Sequence, residues 1–216
     1  MQTADTYRHK GLRRKLIDEL RTKGITNNDI LEAMNRVPRH NFMDSGFIGF
    51  AYKDQAFPIG AGQTISQPYT VAFQTQLLDV VKHDKILEVG TGSGYQCAVL
   101  LEMGTTVYTI ERHRELFLSA QSKLLSLKYK PTFFFGDGYE GVPAYSPYDR
   151  IIITAGGPDI PEKLLQQLKI GGKLVMPVGN SDIQKMTLVE KLSENEFRRT
   201  EHGTFNFVPL CKGKIY

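Results

Sequence analysis

Apolar residues near the N-terminus recur at the spacing of an amphipathic helix. The pattern stops at Gly24, and its apolar positions are Leu12, Leu16, Ile17 and Leu20. Thr26 followed three residues later by Asp29 resembles a capping box, which predicts the start of a second short helix. Pro38 is expected to end that helix, because proline disfavours helical backbone in the residue before it. These patterns predict an N-terminal helical pair.

Residues 45–68 have no sustained apolar period and contain six glycines or prolines, so we predict an irregular loop. Long ordered loops commonly carry function. Helical spacing resumes over residues 69–81. The loop is therefore expected to deliver its last residues to a helix N-terminus, namely Thr64, Ile65, Ser66 and Gln67.

Strand-length apolar runs and helical patterns alternate from residue 85 onward. Strands are predicted at residues 85–89, 106–110, 132–135, 150–154 and 173–178. Helices are predicted between them at residues 94–103, 115–127 and 161–168, the last closed by Gly171 and Gly172. This alternation predicts an α/β fold with a doubly wound, mostly parallel sheet and helices on both faces.

After Gly179 the pattern contains strands alone, which predicts antiparallel additions at a sheet edge. These strands are expected at residues 186–191, 197–201 and 205–210. We therefore divide one domain into three segments. They are a helical pair with a substrate loop (1–68), a cofactor-binding α/β core (69–179) and C-terminal antiparallel strands (180–216).

Composition and charge narrow the cellular setting. The 216 residues carry 27 lysines and arginines against 23 acidic residues, a net charge of +4. Residues 1–40 hold nine basic and five acidic side chains, and a solvated helix face explains this surplus better than a nucleic-acid footprint. No apolar run reaches the roughly 18 residues of a membrane helix, and no leader peptide is recognisable. Cys97 and Cys211 lack metal-site spacing. We expect a cytoplasmic monomer with no membrane attachment and no metal.

The strongest chemical motif is Glu-Val-Gly-Thr-Gly-Ser-Gly at residues 88–94, between a predicted strand and a predicted helix. Its glycines let the backbone turn tightly and approach a ligand, and the helix N-terminus offers free N–H groups. Glu111 ends the next predicted strand, 21 residues after Gly90, where an acid can accept hydrogen bonds from ribose hydroxyls. The pattern predicts a nucleoside-bearing cofactor.

The third glycine discriminates among such cofactors. A dinucleotide loop reads G-x-G-x-x-G, and Tyr95 in place of a glycine disfavours a pyrophosphate ligand. A nucleoside-triphosphatase loop would end in Gly-Lys-Ser/Thr, whereas this chain has Gly-Tyr-Gln. The loop with Glu111 resembles instead the S-adenosylmethionine loop of class I methyltransferases, whose cofactor has no phosphate. Asp137, between Gly136 and Gly138, stands where a third acid would meet the adenine.

Almost the whole chain resembles the protein-L-isoaspartate O-methyltransferase family. The resemblance lies in segments 37–42 (VPRHNF), 62–68 (GQTISQP), 87–95 (LEVGTGSGY), 109–112 (TIER), 136–138 (GDG), 171–179 (GGKLVMPVG) and 207–210 (FVPL). Many methyltransferases share the glycine loop, whereas the TISQP pentapeptide at residues 64–68 marks the isoaspartyl group.

The resemblance implies a Rossmann-like methyltransferase fold. The implied reaction transfers the methyl group of S-adenosylmethionine to the α-carboxylate of L-isoaspartyl residues in damaged proteins and peptides. Ser66 takes the family's active-site role, and Thr64, Ile65 and Val208 are expected to line the peptide side with it. The implied cofactor contacts come from Glu88, Gly90, Thr91, Gly92, Ser93, Gly94, Glu111, Arg112, Asp137, Gly138 and Gln67.

Two positions depart from the family pattern. Residues 154–157 read Thr-Ala-Gly-Gly where relatives commonly have Thr-Ala-Ala, and the glycine pair could loosen the crevice floor. Cys211 stands where Thr or Val is more usual, and a thiol is a weaker hydrogen-bonding group than the hydroxyl of Thr.

Other functions are weighed against the residues. A nucleic-acid or small-molecule methyltransferase shares the fold, although the Asn/Asp-Pro-Pro-Tyr-like motif of base amino-group methylation is missing after the fourth predicted strand. A dehydrogenase is disfavoured by Tyr95. A non-catalytic adenosylmethionine-binding module stays open.

Overall fold

A seven-stranded sheet forms the centre of the molecule in a computed structural model, which describes residues 4–180 and 182–216. The helices are α1 (Tyr7–Thr22), α2 (Asn28–Arg36), α3 (Pro68–Leu78), α4 (Tyr95–Glu102), α5 (Arg114–Ser126) and α6 (Glu162–Gln166). The strands are β1 (Phe57–Gly60), β2 (Gln63–Ile65), β3 (Lys85–Val89), β4 (Thr106–Glu111), β5 (Thr132–Phe135), β6 (Tyr148–Ile153), β7 (Leu168–Gly179), β8 (Gln184–Lys191) and β9 (Phe197–Phe205). Short 3₁₀ helices span Arg39–Phe42, Ser45–Phe50 and Pro143–Tyr145.

The strand order of the large sheet is β5-β4-β3-β6-β7-β8-β9. The first five strands in this order are parallel, whereas β8 and β9 add antiparallel at one edge. The predicted doubly wound, mostly parallel sheet with antiparallel C-terminal strands is therefore confirmed. Because the chain runs outward from β3 to β5 and then returns to β6, the order reverses between β3 and β6. Ligands of open α/β sheets bind at such a switch point, outside the carboxyl ends of the strands.

Side chains of the central strands alternate between two hydrophobic layers, as the pleat of a strand requires. Ile86, Ile152 and Val175 belong to the layer that also contains buried residues of α1 to α4. Leu87, Ile151 and Leu174 belong to the layer on the opposite face, which includes Leu164 and Leu165 of α6. Both faces of the sheet are thus covered, which explains the nearly continuous apolar runs of its parallel strands.

The predicted N-terminal helical pair is present, but its internal cap differs from the prediction. The side chain of Asn27 accepts hydrogen bonds from the backbone N–H groups of Asp29 (2.9 Å) and Ile30 (3.3 Å). Thr26 therefore is not the N-cap; its own N–H donates to the side chain of Gln76 on α3 (2.8 Å). Asparagine is among the preferred N-cap residues. Because Asn27 directly precedes the first turn of α2, it caps this helix in place of Thr26.

Residues 45–68 are more regular than predicted. They contain a 3₁₀ helix and the antiparallel pair β1-β2, whose register places Phe57 opposite Ile65 and Pro58 opposite Thr64. The turn between the two strands has positive φ angles at Gly60, Ala61 and Gly62, which two glycines make accessible. Strands of four and three residues are too short to give a readable apolar period.

Two boundaries in the C-terminal half were predicted wrongly. Gly171 and Gly172 do not close α6, which ends at Gln166, but lie inside β7, where the register against β6 shifts. The separate strand predicted at 205–210 does not form, because Gly203 (φ +61°) sits at a register shift that lets β9 continue as one strand to Phe205. Beyond β9 the chain crosses the end of the sheet, with one bridge from Pro209 to Gly156 and another from Ile215 to His113.

The division of the chain at residues 68 and 179 stays a prediction, although α3 begins at Pro68 and β7 ends at Gly179. In the part of the chain that the structure describes, no helix combines the length and the apolar content needed to cross a bilayer.

Candidate active site

A cleft lies at the carboxyl ends of β3, β4 and β6, at the switch point of the sheet. Its empty volume is about 780 Å³, including space open to solvent. The walls are formed by the loop after β3, the ends of β4 and β6, strand β2 with Ser66, and the crossing segment 208–211. The cleft therefore joins the glycine motif to the TISQP pentapeptide, two motifs that are separate in the sequence.

The glycine loop is bent tightly against the end of β6. Gly90 has φ +94°, and a Cβ atom there would lie 2.5 Å from the hydroxyl of Thr154. That hydroxyl donates a hydrogen bond to the carbonyl oxygen of Gly90 (2.7 Å). Only glycine fits both the backbone angle and this close approach. Gly94 ends the loop as the N-cap of α4, and Gly90, Thr91, Gly92 and Ser93 line the cleft.

Glu111 ties the glycine loop to the end of β4. One carboxylate oxygen accepts the N–H of Gly92 (2.9 Å), and the other accepts the N–H groups of Arg112 and His113 (both 2.9 Å). The side chain lines the cleft and is buried, with a residue exposure of 5%. Three charge-assisted hydrogen bonds hold a carboxylate firmly in such a position.

Glu88 lies behind the cleft rather than in its wall. Its residue is fully buried, and the hydroxyl of Thr109 donates to its carboxylate (2.6 Å). The hydroxyl oxygens of Thr109 and Thr91 are also 2.6 Å apart, which completes a hydrogen-bonded chain from the cleft to the acid. Burial, together with the nearby Glu111 carboxylate, raises the pKa of Glu88 to about 8 despite the bond from Thr109. Glu88 is thus a neutral acid at pH 7.

Of the residues predicted to contact the nucleoside beyond the glycine loop, some line the cleft and others do not. Arg112 and Gly138 line the cleft, whereas Asp137 does not. The carboxylate of Asp137 accepts the N–H of Tyr139 (2.9 Å) and the N–H of Gly213 (2.6 Å). The guanidinium of Arg112 donates to the carbonyl oxygens of Lys212 (2.9 Å) and Gly213 (3.1 Å). Both side chains therefore fasten the C-terminal segment, residues 211–216, beside the cleft.

All four residues predicted for the peptide side line the cleft, namely Thr64, Ile65, Ser66 and Val208. Among residues 4–180 and 182–216, the Ser66 hydroxyl has no hydrogen-bond partner. It does not cap α3, because the carboxylate of Asp54 accepts the N–H of Tyr69 (2.7 Å) and takes that place. Asp54 also accepts from the side chain of Gln67 (3.0 Å), which turns this predicted cofactor contact away from the cleft.

A second groove begins where the cleft ends. Thr64, Ser66, Thr154 and Val208 border both spaces. The groove is also lined by four aromatic rings in mutual contact, those of Tyr69, Phe73, Phe205 and Phe207. Ser66 is therefore open to the surface from a second side.

The crevice floor, residues 154–157, forms backbone hydrogen bonds through both of its glycines. The N–H of Gly156 donates to the carbonyl oxygen of Val208 (2.8 Å), and Gly156 accepts the N–H of Leu210 (2.6 Å). Gly157 pairs with β7 through Pro177 and Gly179. Backbone hydrogen bonds hold Gly156 and Gly157 on both sides, and a looser floor caused by the glycine pair stays a prediction. Cys211 lines the cleft at the end of this segment.

Two residues that shape the part of the cleft around Ser66 were not singled out from the sequence. Arg39 donates to the carbonyl oxygen of Ser66 (3.0 Å), and Asp54 caps α3. Arg39 is part of the VPRHNF segment, so the family resemblance carried a signal for it. Asp54 lies in a stretch without a readable pattern, and only the fold reveals its position.

Three side chains of the types that bind metals also lie close together among the described residues, outside the cleft. Ligand atoms of Asp5, His9 and His40 lie within 4.8 Å of one another. Both oxygens of Asp5 accept hydrogen bonds from Arg13 (3.1 and 2.9 Å), and Nδ1 of His40 is bonded to the hydroxyl of Tyr52 (2.7 Å). These contacts hold α1 against the following segment.

A glycine loop at the switch point and an acid at the end of the next strand are the arrangement found in nucleoside-binding α/β proteins. The family model for protein-L-isoaspartate(D-aspartate) O-methyltransferase matches residues 11–215. The chain belongs to this family.

Similar proteins agree with that assignment. A protein-L-isoaspartate O-methyltransferase of Cytophaga hutchinsonii is 59% identical over 206 residues, covering 95% of this chain and 93% of the relative. One of Christiangramia forsetii is 56% identical over 211 residues, covering 97% of this chain and 99% of the relative.

Solved structures of the same name share the fold. One protein-L-isoaspartate O-methyltransferase has a TM-score of 0.83 at 29% identity; 91% of this chain is covered, and the chain spans 65% of that protein. A putative enzyme of this name from Plasmodium falciparum, in complex with S-adenosyl-L-homocysteine, has a TM-score of 0.81 at 24% identity. The match covers 95% of this chain and 99% of that protein. The Rossmann-like methyltransferase fold predicted from the sequence is thereby confirmed.

The buried acid behind the glycine loop predicts a pH-dependent stability. The folded chain keeps a proton on Glu88 up to about pH 8, whereas an ordinary glutamate, with a pKa of 4.5, loses it in the unfolded chain. Between those values the folded state binds more protons, so this group lowers the free energy of unfolding by up to about 1.4 kcal/mol per pH unit as pH rises. We expect Glu88→Gln to remove that slope, as measured by denaturant unfolding at several pH values.

Glu162→Gln serves as the control, because Glu162 is exposed on the surface of α6. The control should follow the wild-type pH profile. Parallel profiles for wild type and Glu88→Gln would show that Glu88 is ionised in the folded protein.

Proposed function

We propose that this chain methylates the α-carboxylate of L-isoaspartyl residues in damaged proteins and peptides, using S-adenosylmethionine as methyl donor. The observation that carries the proposal is the position of Ser66. This residue borders both the cleft of the glycine loop and the groove lined by aromatic rings, and its hydroxyl has no partner among the described residues. A methyl donor and a peptide carboxylate can therefore approach each other there from opposite sides.

The residues of the cleft fit the proposed cofactor. The loop from Gly90 to Ser93 presents backbone groups to the amino-acid end of the cofactor, as the glycines allow close approach. Glu111 supplies a fixed carboxylate for the ribose hydroxyls. Gly138 lines the cleft where the adenine would lie, and it packs so closely on Val89 that a Cβ atom would lie 2.6 Å from that side chain. Arg112 lines the cleft beside these contacts. Glu88, Gly94, Asp137 and Gln67 would support them from outside the wall. When bound, the sulfonium supplies an electrophilic methyl group.

The acceptor needs no general base. A carboxylate with an ordinary pKa near 4 is already ionised at pH 7, so its oxygen is ready to attack. What the protein adds is alignment of oxygen, methyl carbon and sulfur, a positioning effect worth up to roughly 7–11 kcal/mol. Ser66 donates a hydrogen bond to one carboxylate oxygen in this arrangement, and Thr64, Ile65 and Val208 hold the peptide backbone.

The product chemistry accounts for repair. Methyl transfer leaves S-adenosylhomocysteine and a neutral ester, which is a better acyl donor than the free carboxylate. The neighbouring backbone nitrogen attacks the ester carbonyl, loses its proton and releases methanol, which closes a succinimide. Hydrolysis of that ring by water yields normal aspartate in part of the molecules.

We also propose a monomer that acts in the cytoplasm without nucleic acid. Both cysteines are free, which is typical of a reducing compartment. Several basic side chains of the helical pair have acidic partners, because Arg13 pairs with Asp5, Lys23 with Glu19 and Arg36 with Glu102. These pairs occupy basic side chains that would otherwise be available to nucleic-acid phosphates.

The proposal is tested by methyl transfer from radiolabelled S-adenosylmethionine. Purified protein is offered an isoaspartyl peptide, the same peptide with normal aspartate, and an RNA pool. We expect label only in the isoaspartyl peptide, as a base-labile ester. Equal labelling of the aspartyl peptide, or label in the RNA, would contradict the proposed function.

Ser66→Ala should lower methyl transfer to the isoaspartyl peptide about 10- to 100-fold, because a hydrogen bond to a charged group is worth about 1.5–3 kcal/mol. Affinity for the cofactor should change far less. Initial rates and calorimetric titration measure the two effects. Ser122→Ala on the exposed side of α5 is the matched control. Wild-type rates in Ser66→Ala would remove Ser66 from the reaction.

Glu111→Gln should weaken cofactor binding by a similar factor, because the amide replaces a charged acceptor of ribose hydroxyls and of three N–H groups. Calorimetry with S-adenosylhomocysteine measures the loss. Glu115→Gln, an exposed acid in the first turn of α5, should bind as the wild type does. An unchanged affinity in Glu111→Gln would place the ribose elsewhere.

A further inference from the structure

Arg39 is a buried cation beneath the acceptor side of the cleft. Its residue exposure is 1%, and its guanidinium donates to three backbone carbonyl oxygens, those of Ala51 (2.7 Å), Gln55 (3.1 Å) and Ser66 (3.0 Å). Its Nε has no hydrogen-bond partner, and no carboxylate of the described residues lies within 4.0 Å of it. Among those residues the positive charge therefore has no ion-pair partner in contact with it.

Another buried arginine shows the usual arrangement. Arg13, with a residue exposure of 5%, donates to both oxygens of Asp5 at 2.9 and 3.1 Å. Buried charges are generally paired in this way, because removal of an ion from water is costly. Arg39 departs from that rule, although it belongs, like Arg13, to the N-terminal part of the chain.

The carboxylate of Asp54 acts on Arg39 from beyond ion-pair distance, and its oxygens already have other partners. Asp54 is 2.6 Å from the ammonium group of Lys23 and accepts hydrogen bonds from Gln67 and Tyr69. The guanidinium faces aromatic rings instead, at 5.5 Å from the ring centre of Tyr95 and 6.0 Å from that of Phe57. Burial lowers the pKa of Arg39 to about 10, which leaves the group protonated at neutral pH.

The position of this charge suggests what balances it. Arg39 is hydrogen-bonded to the carbonyl of Ser66, the residue whose hydroxyl opens into both the cleft and the groove. Tyr95, whose ring lies against the guanidinium, also lines the cleft. A cation that holds the Ser66 carbonyl would attract an anion bound to the Ser66 hydroxyl, and the burial of that cation strengthens the attraction.

We propose that Arg39 is a positioning residue that makes the acceptor site selective for charge. Its guanidinium fixes the backbone of Ser66 and supplies the positive potential that attracts the anionic α-carboxylate. The neutral methyl ester loses this attraction, so the site binds substrate more tightly than product. This inference rests on the proposed function, since it presupposes a carboxylate acceptor at Ser66.

The test compares an isoaspartyl peptide with its α-carboxamide twin, which has nearly the same shape but no charge and cannot be methylated. Binding of each peptide is measured by calorimetry in the presence of S-adenosylhomocysteine. We expect the wild type to bind the acid at least about tenfold more tightly than the amide, and Arg39→Gln to reduce this ratio to near one. Arg39→Lys, which keeps the charge, should retain most of the ratio.

Arg13→Gln is the matched control, because it removes a buried arginine whose charge is already paired. Its acid-to-amide ratio should equal that of the wild type. A purely structural role for Arg39 would weaken both peptides equally in Arg39→Gln and leave the ratio unchanged, which would overturn the proposal. A wild-type ratio near one would overturn it as well, even if Arg39→Gln fails to fold.

Failure of the proposed function has a different signature. In that case the wild type would not methylate the isoaspartyl peptide in preference to its aspartyl twin. A wild type that methylates the isoaspartyl peptide selectively but binds acid and amide equally well would refute the role of Arg39 alone.

Discussion

The cleft depends on the three hydrogen bonds that the Glu111 carboxylate accepts from backbone N–H groups. They join the glycine loop after β3 to the end of β4, at the place where the strand order reverses. Parallel strands bring their carboxyl ends to one edge, but the loops beyond those ends have no sheet partners of their own. A buried carboxylate that collects three of these N–H groups gives the loops a fixed geometry, and Thr154 adds a further bond from β6.

The acceptor side is built on a different plan. Its residues belong to the hairpin strand β2 and to the start of α3, outside the large sheet. Arg39 and Asp54, from two neighbouring segments, fix the backbone around Ser66 by hydrogen bonds to its carbonyl and to the first turn of the helix. Because Asp54 caps α3, the Ser66 hydroxyl is released from that task and can face a ligand.

Much of this could be predicted from the sequence, and the failures have common causes. The parallel strands and their order of succession were readable because buried strands are continuous apolar runs between helical patterns. The glycine motif and Glu111 were readable because ligand loops follow such strands at regular spacing. Side-chain partners that are far apart in sequence were not readable. Asp137 and Arg112 bind the C-terminal segment, and Asp54 rather than a local residue caps α3.

Charge explains why the two sides of the cleft are unlike. The proposed donor brings a positive sulfonium and the proposed acceptor a negative carboxylate, and the transfer converts them to a neutral thioether and a neutral ester. Groups that stabilise both charges strongly favour the reactants over the transition state, so they assist capture more than chemistry. Glu111 is neutralised in part by three N–H groups, and Arg39 lies behind the Ser66 backbone. Glu111 therefore attracts the proposed sulfonium moderately, and Arg39 attracts the proposed carboxylate moderately. The group placed next to the acceptor itself is a neutral hydroxyl. Such an arrangement attracts two charged substrates, whereas the rate of transfer depends on their alignment. Once the methyl group has moved, both products are neutral at these positions and are attracted less.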